Sequence, residues 1–258
     1  MQRRLFQILA MDNKIAKQLN TSEERECGYY SNRKSRESYL VSNSSVSSDE
    51  QETLLNSGFR RYANLYYVHN CRNCSECTSY RLPLDGFRFS KSQKKILKRN
   101  FLKLFQVTTP NCTIEKEELY LRYQYSQHFQ KKLPGKFRST EEFNPDEILD
   151  NMYYQMYSNP SSSVELEVKN KEGKVSAFAI FDVAKESLSA VYSVYDPKDA
   201  RDSPGILNIL KGIEWALQNK FKYFHLGLYL EGHPKMNYKK KFGPAEILDK
   251  KSGHWKDF

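Results

Sequence analysis

The sequence predicts a mixed α/β protein. Runs rich in β-branched and aromatic residues are typical of strands, and a longer run with apolar residues at helical spacing lies between the last two of them. The predicted strands are 164–168, 175–183, 187–197 and 223–230, and the predicted helix is 205–218. A cysteine-rich, basic segment precedes this pattern, so the chain joins a small unit to a larger α/β unit.

Two domains are expected because 258 residues exceed one average domain of roughly 100–200 residues. A polar segment around 108–115 marks the junction between them. We predict a lead-in segment at 1–20, an N-terminal domain with a cysteine cluster and a basic helix at 21–106, and a larger domain at 107–258.

The charge balance favours a polyanionic partner. Lys and Arg total 41 against 31 Asp and Glu, so the formal net charge is +10 and the summed field attracts nucleic acid. No run approaches the roughly 20 apolar residues that a membrane span requires. We therefore expect a monomeric, cytoplasmic protein that binds nucleic acid and no membrane.

The first distinctive element is a run of cysteines. Cys71, Cys74 and Cys77 stand at CxxCxxC spacing, and Cys27 lies in an earlier turn that feeds a strand. Thiolates at this spacing bind a tetrahedral Zn²⁺, with Cys27 as a fourth ligand, but the pattern also admits an iron–sulfur cluster or buried small side chains. The odd total of five cysteines disfavours a secreted disulfide framework. The sequence thus predicts a structural metal site.

A basic helix follows the cysteines. In the run KSQKKILKRN, Lys91, Lys94, Lys95 and Lys98 recur at i, i+3, i+4 and i+7, on one helical face. Such a charge run is usually a solvated face. Here the helix and its flanks carry seven basic residues and no acid. We therefore predict that this face, with Arg99, contacts nucleic-acid phosphates.

The larger domain begins with a predicted helix at 117–131. Its strands, central helix and further strand then follow the order of an acyltransferase domain of the GNAT type, an order that other α/β domains share. A CoA-using member holds pyrophosphate on a glycine-rich loop at the start of the central helix. The run RDSPG at 201–205 has a single glycine. The order predicts a GNAT-like fold, and the loop disfavours acyl-CoA as the donor.

Seven blocks of sequence occur in the order of one known family. They are CGYY at 27–30, GFRR at 58–61, CxxCxxCxxxR at 71–81, FRFSKSQKKILKRN at 87–100, LYLRYQYSQH at 119–128, LSAVYSVYDPKDAR at 188–201 and LGLYLEGHPKMNYKKKFGP at 226–244. Together they resemble the bacterial aspartate/glutamate leucyltransferases and, more distantly, the eukaryotic arginyl-tRNA protein transferases. The blocks span most of the chain from about residue 25 to 248.

The resemblance implies transfer of an amino acid from aminoacyl-tRNA to the N-terminal amine of a protein, as an N-degron tag for degradation. It implies an acceptor that begins with Asp or Glu, and the chain length and CxxCxxC favour leucine as the donor. Aminoacyl-tRNA is already an activated ester, so the chemistry needs no cofactor and a catalytic thiol would gain little. The alternatives are an arginine donor, a GNAT N-acyltransferase that uses acyl-CoA, and a non-catalytic, zinc-stabilised tRNA-binding module.

Candidate residues follow from the same blocks. A carboxylate at the strand end in YSVYDP can orient or deprotonate the incoming amine, although an isolated Asp-Pro is usually a turn. An acidic acceptor needs a cation, and arginine binds a carboxylate at two points. The predicted catalytic residues are Asp196, Tyr195 and Glu231. The predicted substrate-binding residues are Arg60, Arg61, Arg81, Tyr80 and Tyr238. The tRNA-binding residues predicted beyond the basic helix are Arg201, Lys235 and Lys239.

Overall fold

A computed structural model describes residues 19–258 except 132, 134, 139–141 and 159–160. The predicted lead-in at 1–20 lies outside the described residues apart from its last two. No helix in the described part of the chain is long and apolar enough to cross a membrane.

An eight-stranded mixed sheet forms the centre of the fold. Its order is β14-β13-β7-β12-β11-β10-β9-β8, and the neighbours are antiparallel except for the parallel pair β11 and β12. The strands are β7 Thr78–Pro83, β8 Leu104–Thr108, β9 Ser163–Lys169, β10 Val175–Val183, β11 Ser187–Tyr195, β12 Tyr223–Tyr229, β13 Glu246–Leu248 and β14 Trp255–Asp257. The four strands predicted from the sequence, corresponding to β9–β12, are confirmed.

Helices cover both faces of this sheet. They are α1 Ser48–Asn56, α2 Lys91–Arg99, α3 Ile114–Gln124, α4 Pro145–Met152 and α5 Pro204–Gln218. Alternate residues of a strand face opposite sides. Phe181 of β10 therefore packs in the core that includes Leu210 of α5, and Phe178 packs in the core that includes Leu119 of α3 and Met152 of α4. The predicted α/β class with a GNAT-like order of strands and helix is confirmed.

Caps fix where the helices begin. Ser90 accepts the backbone N–H of Gln93 while the Gln93 side chain accepts the N–H of Ser90, so the predicted basic helix starts at Lys91. Thr113 caps α3 through the N–H of Lys116, which places its start three residues before the predicted one. A π-helical turn, Tyr125–Phe129, continues α3.

A small four-stranded sheet of order β1-β4-β6-β5 packs beside the large one. Its strands are β1 Asn20–Thr21, β4 Glu37–Val41, β5 Arg60–Tyr62 and β6 Leu65–His69, and β2 Arg25–Glu26 pairs with β3 Lys34–Ser35 in a separate hairpin. Its core contains Leu40, Leu54, Phe59 and Tyr66.

The two predicted domains share the large sheet. β7 comes from the N-terminal 21–106 segment, yet it lies between β13 and β12 in the sheet of the larger domain. The predicted boundary at 106/107 also falls inside β8. β7 and β12 lie more than 100 residues apart in the sequence, and their pairing joins the two segments in one sheet. Local composition does not predict such long-range pairing.

Candidate active site

A pocket of about 520 Å³ opens where β11 ends and α5 begins. We call it the α5 pocket. Three tyrosines and four aliphatic side chains form much of its wall, and two lysines and a histidine lie among them. The residues that line it are Tyr123, Gln127, His128, Lys131, Ser193, Tyr195, Ala200, Ser203, Pro204, Gly205, Ile206, Ile209, Lys235 and Tyr238. No described carboxylate lines this pocket, so it suits an apolar side chain near an anionic group.

Close packing sets the shape of the α5 pocket. The Tyr195 ring lies against Gly205, where an added Cβ would stand 3.0 Å from the nearest ring carbon. Asn208 of α5 donates to the Ser193 hydroxyl over 2.9 Å and so ties the helix to the strand below the pocket. Tyr195 and Tyr238, both predicted site residues, line the pocket, and burial raises the pKa of Tyr238 to about 12. Both phenols therefore act as neutral hydrogen-bonding groups.

Beside the α5 pocket the two parallel strands separate. β11 and β12 pair only over Ser187–Ser189 with Tyr223–His225. Arg60 of the small sheet fills the gap beyond, donating to Ser189 Oγ over 3.3 Å and to the Ala190 carbonyl over 2.8 Å. Gly227 has a φ of +82°, and a Cβ there would stand 2.9 Å from the Arg60 guanidinium carbon. Glycine at 227 makes room for the arginine.

Of the three arginines predicted to bind substrate, Arg60 is the one that has no carboxylate partner among the described residues. Arg61 is buried and pairs at two points with Asp182, over 2.7 and 2.9 Å. Arg81 pairs with Glu246 over 2.6 Å and lies between the rings of Tyr223 and Trp255. Arg61 and Arg81 thus join parts of the fold, whereas Arg60 keeps donors for an outside anion; the substrate-binding role predicted for Arg61 and Arg81 stays a prediction.

Three other predicted site residues, Tyr80, Asp196 and Glu231, lie outside the α5 pocket and contact other residues of the chain. Tyr80 is buried, and its hydroxyl donates to the carbonyls of Lys239 and Phe242. Asp196 accepts the backbone N–H of Lys198 over 3.0 Å as the cap of a 3₁₀ turn, and Arg122 lies 3.6 Å from its carboxylate. Neither Tyr80 nor Asp196 lines the α5 pocket.

The third of these residues, the predicted catalytic Glu231, also lies away from the pocket. Its carboxylate is exposed, pairs with Lys240 over 2.6 Å and accepts the Tyr229 hydroxyl over 2.6 Å. Glu231 does not line the α5 pocket, and the catalytic role predicted for it stays a prediction.

The predicted basic surface leads to the pocket. Lys91, Lys94, Lys95, Lys98 and Arg99 lie on α2, and all five are exposed. Arg99 donates to the carbonyl of the exposed Arg201, which directly follows the pocket residue Ala200. Lys235 lines the pocket itself. Lys239 instead is buried and donates to the Leu228 carbonyl, and its contact with tRNA stays a prediction.

Replacing Lys94 and Lys98 together by glutamine is expected to weaken tRNA binding. The slope of log K against log salt should also become shallower, by about 0.7–0.9 for each phosphate that the variant no longer neutralises. The matched control replaces Lys185 and Lys222, two exposed lysines at the opposite end of β11 and β12, and should leave the slope unchanged. Filter binding over a salt series measures the slope, and equal effects of the two variants would contradict the prediction.

The four predicted metal ligands line one large cavity of about 1220 Å³, which we call the cysteine cavity: Cys27, Cys71, Cys74 and Cys77. Among the described residues, however, no three His, Cys, Asp or Glu side chains are grouped so as to hold a metal ion. Burial raises the pKa of Cys77 to about 12 and also raises that of Cys71. The four cysteines share this cavity without forming such a group, and the metal site stays a prediction.

His128 is a pocket residue that the sequence did not reveal. It lies in the π-helical turn after α3, its ring makes an edge contact with Tyr123, and Lys235 Nζ lies 3.0 Å from its Nδ1. The extra residue in a π-helical turn shifts side chains off the 3.6-residue pattern. The only signal in the sequence was the position of His128 at the end of the LYLRYQYSQH block.

The fold has the GNAT-like order of strands and helix, with a pocket where α5 begins. The chain belongs to the arginine-tRNA-protein transferase family: the family's C-terminal model matches residues 115–249 and its N-terminal model matches residues 25–95. It is therefore an aminoacyl-tRNA protein transferase.

Curated relatives agree with this assignment. The chain is 39% identical to an aspartate/glutamate leucyltransferase of Leptospira interrogans, over 93% of this chain and 91% of the relative. It is 30% identical to one of Stenotrophomonas maltophilia, over 91% and 90%. Among solved structures, FemX has a TM-score of 0.48 and 10% identity, covering 84% of this chain and 70% of that one.

Proposed function

We propose that this protein transfers leucine from leucyl-tRNA to the α-amine of proteins that begin with Asp or Glu, as an N-degron tag. The observation that carries the proposal is the α5 pocket, with an apolar wall, two lysines and no described carboxylate. The identity to aspartate/glutamate leucyltransferases supports the same donor and acceptors.

The pocket lining favours leucine over arginine as the donor. A leucine side chain packed against Pro204, Ile206 and Ile209 gains about 1.5–3 kcal/mol from burial. An arginine side chain would bring a charge that needs a carboxylate, and none of the described residues that line the pocket supplies one. Both the apolar wall of the pocket and its lack of a described carboxylate therefore disfavour arginine as the donor.

The tRNA in this proposal follows the basic face of α2. The acceptor stem lies along that helix, and its 3′ end passes Arg99 and Arg201 to reach the pocket. Lys131 then lies near the terminal phosphate, and Lys235 lies near the ester. Electrostatic attraction holds the stem without reading its sequence.

The acceptor in this proposal meets Arg60. Its guanidinium lies close enough for its charge to act on the pKa of Tyr29 and Tyr67 in the cysteine cavity and of Tyr238 in the α5 pocket, opposing the rise that burial causes. A peptide that enters from the cysteine cavity would bring its first carboxylate to this guanidinium and its α-amine to the donor ester. Two charge-assisted hydrogen bonds suit this recognition.

Positioning accounts for most of the catalysis that this reaction needs. The ester is already activated, and an α-amine has a pKa of about 7.7–8.0, so a useful fraction is neutral near pH 7. Holding amine and ester in contact removes much of the entropic barrier, and N–H donors stabilise the oxyanion that forms on the carbonyl.

We expect purified protein to add leucine, and not arginine, to peptides that begin with Asp or Glu when it is given separately charged Leu-tRNA and Arg-tRNA. Peptides that begin with Lys or Arg should remain unmodified, since Arg60 repels a cationic side chain. Mass spectrometry of the peptide N-terminus reads each pairing. Arginine addition would overturn the donor assignment, and modification that depends on acyl-CoA and survives ribonuclease would overturn the tRNA-dependent reaction.

A further inference from the structure

Lys235 and His128 meet on the wall of the α5 pocket, with 3.0 Å between Lys235 Nζ and His128 Nδ1. The two residues come from distant parts of the chain, the turn after β12 and the π-helical turn after α3. Tyr123 holds the imidazole by an edge contact with 5.9 Å between ring centroids. Both side chains reach the pocket surface, where a bound ester would meet them.

The surroundings of Lys235 disfavour a charge on it. No carboxylate of the described residues pairs with Lys235. Burial, with Lys131, lowers its pKa, and burial with the two lysines lowers the pKa of His128 to about 4. The titratable groups nearby from the other elements are Lys131, His233, Lys239, Tyr123, Tyr195 and Tyr238. A neutral imidazole thus holds an amine that releases its proton easily.

We propose that Lys235, oriented by His128, is the catalytic residue that accepts the proton of the acceptor's α-ammonium. This inference rests on the proposed function, because the α5 pocket must hold the aminoacyl ester. Lys235 then serves proton transfer from the acceptor amine, and it has no part in binding tRNA phosphate.

The proposed steps balance in atoms and charge. The α-ammonium gives one proton to the neutral Lys235 amine, and the freed α-amine forms a C–N bond with the ester carbonyl carbon. The tetrahedral intermediate loses the C–O bond to the ribose, whose oxygen takes the second proton of the attacking nitrogen. Lys235 then releases its own proton to water. The products are an amide, a free ribose hydroxyl and one proton.

The test compares wild type with Lys235→Arg in single-turnover transfer from Leu-tRNA. Arginine keeps the positive charge and stays protonated. Two acceptors are used: an Asp-initiated peptide, and its analogue in which a hydrazine replaces the α-amine, whose terminal nitrogen is uncharged at neutral pH. The variant should lose about 10²-fold or more with the amine and less than about tenfold with the hydrazine. Its affinity for tRNA and its thermal unfolding should match wild type.

Any other outcome would overturn either the role of Lys235 or the proposed function. Equal losses with both acceptors would overturn the proton-transfer role, as would a variant that transfers as fast as wild type or binds tRNA poorly. If Lys235→Arg fails to fold, Lys235→Gln takes its place, and equal losses with both acceptors would again reject the proposal. A wild-type protein that adds no leucine to either acceptor would defeat the proposed function instead, which separates the two failures.

Discussion

Replacing Arg60 by glutamine is expected to lower kcat/KM for Asp- and Glu-initiated peptides by about 10²–10³-fold, since removing one partner of a desolvated charge pair costs about 2–5 kcal/mol. The guanidinium is half-buried between β11 and β12, and among the described residues it donates to Ser189 and Ala190. Its remaining N–H donors are therefore available to a substrate carboxylate. Initial rates of leucine transfer measure the effect.

Comparing acidic acceptors with their uncharged amide counterparts distinguishes lost recognition of the carboxylate from a structural effect of the Arg60 variant. Peptides that begin with Asn or Gln lack the carboxylate, so wild type and variant should transfer to them at nearly equal low rates. Arg72→Gln is the matched control because Arg72 is exposed and lines neither cavity. The same fold loss on all four acceptors would mean that Arg60 shapes the cleft or stabilises the oxyanion and does not read the acidic side chain.

Replacing Asp182 by alanine is expected to lower the free energy of unfolding by about 3–5 kcal/mol, the usual cost of breaking a buried ion pair. The carboxylate and the guanidinium of Arg61 are 2% and 1% exposed and bond at two points. The same guanidinium donates to the carbonyls of Ala63 and Gln155. Without Asp182 the charge stays buried and has no counter-ion. Urea unfolding followed by circular dichroism measures the change.

Two controls isolate the buried charge. Asp182→Ala combined with Arg61→Met removes both ions and should recover most of the lost stability, because an apolar pair of similar volume avoids the desolvation penalty. Lys185→Ala breaks the exposed ion pair with Asp49 and should not change the unfolding midpoint. A loss below about 1 kcal/mol for Asp182→Ala would contradict the prediction, since that is the range of exposed pairs.

Local patterns explain the parts of the fold that could be predicted. The strands β9, β10 and β11, the basic helix α2 and the central helix α5 each carry their own periodicity, so the sequence reveals them without the rest of the fold. β7 could not be assigned to the large sheet, because it pairs with β12, which lies more than 100 residues later in the chain. Only long-range pairing decides which sheet receives it.

The candidate site shows the same limit. Arg60 and Arg61 are neighbours in β5, so their side chains point to opposite sides, and the sequence alone does not tell which one is buried. The carboxylate that pairs with Arg61 lies in β10, far along the chain. The four cysteines predicted to bind a metal line one cavity, but the CxxCxxC spacing does not fix how closely their sulfur atoms converge.

The most direct test of the central claim is a co-crystal structure with an oligonucleotide that ends in 3′-deoxy-3′-(leucylamino)adenosine, an amide that mimics leucyl-tRNA and does not react. We predict that the leucyl side chain packs against Tyr195, Ile206 and Ile209, with the terminal adenosine near Lys235 and the oligonucleotide leading to α2. A leucyl group bound in the cysteine cavity, with the α5 pocket unfilled, would contradict this claim.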